Sequence, residues 1–123
     1  PWYMRPVAQA ALEQNQRIAP DTRDDVYALG VILYQMLASE LCHPLEQSGQ
    51  GHRTYLQVPD RVQFADPYLR NACDALIIAA LGLDPTRQII DAQVLLKACD
   101  ALLAGWYAYL HEQTRLAAHT HQE

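Results

Sequence analysis

Thr22-Arg23-Asp24-Asp25-Val26-Tyr27-Ala28-Leu29-Gly30-Val31-Ile32-Leu33-Tyr34-Gln35-Met36-Leu37-Ala38 is the stretch whose reading decides the fold. Val26, Leu29, Leu33, Met36 and Leu37 recur at helical spacing, while Val31, Ile32 and Tyr34 fill the other faces. A helix that is apolar nearly all round belongs at the centre of a domain. Pro20 closes the preceding segment, and Thr22 with Asp25 three residues on reads as an N-cap and its capping-box partner. Pro44 biases the residue before it away from helical geometry, so the helix is expected to stop near 39–43. The apolar run is too short to span a bilayer, which takes about 20 residues.

Outward from this helix, Asp66 and Pro67 supply a cap and a first helical residue. Leu69, Cys73, Leu76, Ile77, Ala80 and Leu81 then repeat at helical intervals as far as Gly82. After the turn Leu83-Asp84-Pro85-Thr86, Asp91 is placed to cap a third long helix. Its expected apolar side is Val94, Leu95, Ala98, Leu102, Leu103, Trp106 and Leu110. Between Pro44 and Pro67, Gly49, Gly51 and Pro59 interrupt a weak periodicity of Tyr55, Leu56, Val58 and Val62, which reads as loops around one short helix. No stretch alternates with period two, and no internal repeat is visible. The fold class is all-α, with one domain over 1–115 and a flexible tail over 116–123.

Composition narrows the function. The chain has 123 residues, half of them apolar and 19% charged, the balance of a packed domain rather than of disorder. Nine Lys and Arg against fourteen Asp and Glu give a charge of -5, which argues against nucleic acid or an anionic membrane as partner. Cys42, Cys73 and Cys99 are widely spaced and form no C-x-x-C pair, so reduced thiols are expected rather than a disulfide framework or a zinc site. The sequence begins at Pro1 rather than at a methionine, and is expected to be a piece of something longer.

Three motifs, in order, resemble the protein kinase family over roughly 1–103. Trp2-Tyr3-Met4-Arg5-Pro6 resembles the end of an activation segment of the Tyr-Met-Ala-Pro-Glu type, with Arg5 at the Ala and Val7 at the Glu. Asp25 to Leu37 is similar to the central helix usually written Asp-Val-Tyr-Ser-Leu-Gly-Val-Ile-Leu-Tyr-Glu-Met-Leu, and is the most specific match. Leu83-Asp84-Pro85-Thr86-Arg87 resembles the Asp-Pro-x-x-Arg turn before the last helices of the C-terminal lobe. The resemblance implies the helical C-terminal lobe of a kinase-like fold around a central buried helix. It implies a substrate wall at Trp2, Tyr3 and Met4, and structural motif residues at Pro6, Asp25, Gly30 and Arg87. Asp25 corresponds to the residue that accepts hydrogen bonds from the catalytic-loop backbone. In the family, the arginine matching Arg87 pairs with the glutamate that Val7 replaces, and breaking such a buried pair costs about 3 to 5 kcal/mol. Arg87 is therefore expected to find another carboxylate, with Glu13 the candidate.

Catalysis by that family needs a Gly-rich cover, a strand lysine, a catalytic Asp with a nearby Asn, and a metal-binding Asp. None is present in the sequence. Gly49-Gln50-Gly51 lacks the third glycine of a nucleotide loop, and the one lysine, Lys97, lies within a helical pattern. Cys42-His43 are adjacent, and neighbours rarely point at one centre, so a helix-end turn outweighs a nucleophile or metal site. His119 and His121 are read as tail residues rather than ligands. Asp21, Asp24 and Asp25 are explained first by the preference of helix starts for acids. Trp106, Tyr107 and Tyr109 read as packing, with a docking surface as the sharper alternative.

The chain alone is thus expected to catalyse nothing and to hold no cofactor, with ATP and magnesium belonging to a parent if that parent is an active serine/threonine kinase. Its expected role is to scaffold a catalytic loop and dock substrate. The alternative is a pseudokinase-derived helical module that works by binding protein. Expected partners are protein: the missing kinase portion, another chain, or a second copy. The expected location is the cytoplasm.

Overall fold

The computed structural model describes residues 3–15, 21–38, 43–47, 53–57 and 66–121. Trp2, Cys42, Gly49, Gly51, Val58 and Val62 lie outside the described residues. The order is α1 (Pro6–Glu13), α2 (Thr22–Ala38), β1 (Leu45–Gln47), β2 (Arg53–Tyr55), α3 (Pro67–Ala80) and α4 (Ala92–His121). The protein is mostly helical, as expected. A short antiparallel hairpin, with Leu45 opposite Tyr55 and Gln47 opposite Arg53, replaces the loop reading around Tyr55.

The helix starts follow from local chemistry. Asp66 accepts the N–H of Tyr68 at 2.8 Å, and Asp91 accepts that of Val94 at 2.8 Å, so both expected caps are in place. In α2 the capping box is shifted one residue toward the N-terminus. Asp21 accepts the Arg23 N–H at 2.9 Å, and Asp24 reaches back to the Asp21 N–H at 3.2 Å. Thr22 instead donates its hydroxyl to the Ile90 carbonyl at 2.6 Å, tying the start of α2 to the turn before α4. α3 ends in a Schellman motif: Leu83 N–H bonds to Ile78 O, Gly82 N–H bonds to Ala79 O, and Gly82 has φ +69°. The Asp84–Arg87 turn follows, and Ile89 N–H bonds back to Ala79 O at 3.1 Å, burying Ile89 and aiming α4 along α3.

α2 packs against α3 and α4. Tyr27, Val31, Tyr34 and Ala38 of α2 meet Cys73, Ile77 and Leu81 of the α3 region, while Val26, Ala80 and Ile89 form a second cluster. The helices approach closely at Gly30, where an added Cβ would lie 3.0 Å from the Ala80 Cβ. The hairpin closes one end of this core. Tyr55 stacks edge-on against Tyr34 and donates its hydroxyl to Asp74 of α3.

Two expectations are corrected. α2 is not enclosed on every side: Leu29, Ile32 and Met36 are exposed, Met36 by 70%. α4 is helical from Ala92 to His121. Its half-buried face is Leu95, Ala98, Cys99, Leu102, Gly105, Trp106 and Tyr109, whereas Val94, Leu103 and Leu110, expected inside, are exposed.

Candidate functional site

A cleft of about 420 Å³ lies between the start of the chain and the first turns of α2, lined by Tyr3, Met4, Arg5, Ala8, Asp24, Asp25 and Ala28. Tyr3, Met4 and Asp25, singled out separately by the sequence, therefore meet in one place. Pro6 opens α1, where its missing N–H costs nothing, and Ala8 in the first turn lines the cleft. Gly30 is buried one helical turn beyond the cleft, against Ala80.

Arg5 fixes the near wall. Its side chain is only 14% exposed, with Nε 2.5 Å from Asp24 Oδ1 and a guanidinium nitrogen 3.6 Å from Asp21 Oδ2. Asp21 also takes an ion pair from Arg23 at 2.7 Å. The Arg23 side chain and N–H, with the charges of Arg23 and Arg5 behind them, hold the Asp21 carboxyl well below the ordinary carboxylate range. Tyr3 adds a second tether by donating its hydroxyl to Gln35 Oε1 at 2.8 Å. Gln35 is buried, and its Nε2 has no hydrogen-bond partner among the described residues.

Asp25 stands apart from this network. It is exposed, and its carboxylate makes no hydrogen bond among the described residues. It lines both the cleft and a neighbouring hollow of about 350 Å³ bounded by Thr22, Asp91, Ala92 and Gln93. An open carboxylate in this position can accept backbone or side-chain N–H groups from a segment laid across the start of α2. Among the described residues no His, Cys or Lys lines the cleft.

The expected pairing of Arg87 with Glu13 is not formed. Arg87 is exposed and makes no ion pair among the described residues, and Val7 is 54% exposed. Arg87 instead adds its charge to a turn closed by Asp84. That carboxyl accepts the Thr86 hydroxyl at 2.8 Å and the Thr86 N–H at 3.0 Å, and is held below its usual range mainly by those bonds. Arg5, where the resembled motif has alanine, anchors the start of the chain to acids of α2.

His43 is used locally rather than as a ligand. The Leu45 N–H donates to its Nδ1 at 3.0 Å, which puts the ring proton on Nε2, 3.5 Å from the Tyr27 hydroxyl. Among the described residues no group of His, Cys, Asp and Glu is arranged to hold a metal ion, and no helix is long and apolar enough to cross a membrane. The sequence reading missed Arg5, Gln35 and Tyr68. Tyr68 stacks on Tyr109 at 4.4 Å and also meets Trp106, so Trp106 and Tyr109 are packing residues while Tyr107 is 65% exposed. No protein-family model, curated protein or solved structure matches the chain.

Proposed function

We propose that this chain is the helical C-terminal lobe of a serine/threonine-kinase-like protein, in which α2 scaffolds a catalytic loop and the segment before α1 forms part of a substrate-docking surface. The chain supplies no phosphoryl-transfer chemistry of its own. ATP and magnesium belong to the parent, and a cytoplasmic location goes with the reading. The observation that carries it is the single cleft shared by Tyr3, Met4 and an open Asp25 carboxylate. Those residues come from two motifs of the resemblance that lie far apart in sequence. The packing of α2 on α3 and α4, with the 83–87 turn folding α4 back, also supports it.

A second reading has its own support. The exposed Val7 and Arg87 leave out the ion pair that stiffens the substrate loop in the resembled family, which favours a pseudokinase-derived module that binds protein. The coding sequence ahead of Pro1 separates the two. The kinase reading expects a strand lysine, His-Arg-Asp and Asp-Phe-Gly there, phosphoryl transfer to a serine or threonine peptide by the extended protein, and a loss of at least about tenfold in Asp25→Asn. An upstream kinase-like sequence lacking the lysine and the catalytic Asp decides for the binding module. Calorimetric binding of magnesium-ATP by the 123-residue chain alone overturns both.

A further inference from the structure

One face of α2 is apolar and ends in an open acid. Asp25, Leu29, Ile32 and Met36 follow one another at spacings of four, three and four, so they form a single stripe along the helix. Leu29, Ile32 and Met36 are 45%, 42% and 70% exposed. At 1.5 Å per residue the stripe is about 16 Å long, or three turns. That length and phase fit the apolar side of a second helix whose anchors recur at the same intervals.

Charge selects which helix. Asp25 closes the N-terminal end of the stripe with a carboxylate that makes no hydrogen bond among the described residues. Asp91 shares the adjoining hollow with it, and among the described residues no basic side chain lines that hollow. Arg23, the one basic residue of α2, is committed to Asp21 at 2.7 Å, and Arg5 is held by Asp24. The face therefore presents apolar surface and uncompensated negative charge, on a chain whose formal charge is -5. A second copy would bring no free cation of α2 to meet Asp25. We infer that, in the protein-binding reading on which this rests, the stripe docks a helix of a basic partner protein. Apolar residues of that helix lie over Leu29, Ile32 and Met36, and an arginine reaches Asp25 and the hollow beside Asp91. Antiparallel packing suits both helices. It brings the arginine into the partner's last turn, where the helix dipole favours a cation, and sets that turn against the acidic start of α2.

Fluorescence anisotropy with a labelled, alanine-based helical peptide of about sixteen residues tests this on the 123-residue chain. The peptide carries three leucines and then an arginine at the four, three, four spacing. It should bind saturably below about 100 µM. Ile32→Gln and Met36→Gln should each weaken binding by about fivefold or more, and Asp25→Lys by about tenfold. A peptide with glutamate in place of the arginine should bind the parent chain about tenfold more weakly and recover on Asp25→Lys. Leu103→Gln, on an exposed side of α4, is the control and should change nothing. Circular dichroism should show every variant folded, because each replaced side chain is exposed. Absence of saturable binding overturns the proposal, as does binding that ignores the arginine or is lost in Leu103→Gln. So does a chain that dimerises through Met36 in sedimentation equilibrium. An extended protein, with the residues ahead of Pro1, to which the peptide no longer binds assigns the stripe to that upstream segment and overturns the proposal too. The binding-module reading fails separately, on upstream motifs that decide for the kinase.

Discussion

Arg5 and Asp21 illustrate how two side chains fix the geometry of the candidate site. Arg5 brings the first turn of the chain onto α2 through Asp24, and Asp21 both caps α2 and holds Arg23. The Arg23 hydrogen bonds depress the Asp21 carboxyl, so its linkage has a definite sign. A depressed acid contributes stability above its unfolded value of about 3.9 and loses it as pH falls toward the lower folded value. Urea midpoints measured from pH 7 down to pH 2 should therefore fall more steeply in the parent protein than in Asp21→Asn. The variant should start lower at pH 7, because Asn still caps the helix but no longer pairs with Arg23. Equal slopes would mean that some other carboxylate carries the acid dependence.

The hairpin shows how one hydrogen bond joins two elements. Tyr55 of β2 reaches Asp74, a buried carboxylate of α3, and burial foremost, with the Asp74 bond next, pushes the Tyr55 hydroxyl above its ordinary value. That contribution is complete below about pH 10 and declines as pH rises past it, because the unfolded tyrosine ionises there and the folded one resists. Tyr55→Phe should cost about 1 to 3 kcal/mol at neutral pH in a denaturant melt, since it withdraws a donor from a buried carboxylate. The same variant should also show a smaller loss of stability above pH 10. This link was not legible in the sequence, because strands of three residues are too short for a period of two to register and the Asp74 contact spans 19 positions. What was legible was local: the caps at Asp66 and Asp91, and the end of α3 at Gly82. Asp21 and Thr22 both stand three residues before an acid, and the choice between them was decided by Ile90, which takes the Thr22 hydroxyl. The phase of α4 was ambiguous because alanine and leucine lie on all its faces, and it is set by tertiary contacts: Leu95, Ala98 and Leu102 pack on the core, and Tyr68 rests over Gly105 and stacks on Tyr109. In the site, Tyr3, Met4 and Asp25 were readable from motifs, while Arg5 acquires meaning only when α1 lies beside Asp24.

α2 has two unlike sides, and the contrast bears on what completes the fold. Val26, Tyr27 and Val31 are fully buried against α3 and α4, while Leu29, Ile32 and Met36 form an apolar stripe facing outward. Substitutions on the two sides should therefore behave oppositely in the 123-residue chain. Ile77→Ala, which opens a cavity beneath Val31, should cost about 2 to 5 kcal/mol. Leu29→Gln, Ile32→Gln and Met36→Gln should each stay within about 0.5 kcal/mol, because their side chains already meet water. If the kinase-like reading holds, a longer chain that includes residues upstream of Pro1 covers this stripe. The same three glutamine substitutions should then become costly, since each would bury a polar amide in place of an apolar contact. Comparing urea midpoints of the three variants in the short and extended proteins reads this directly. A stripe that tolerates glutamine equally in both would show that nothing upstream packs on α2, and that its scaffold role is wrong.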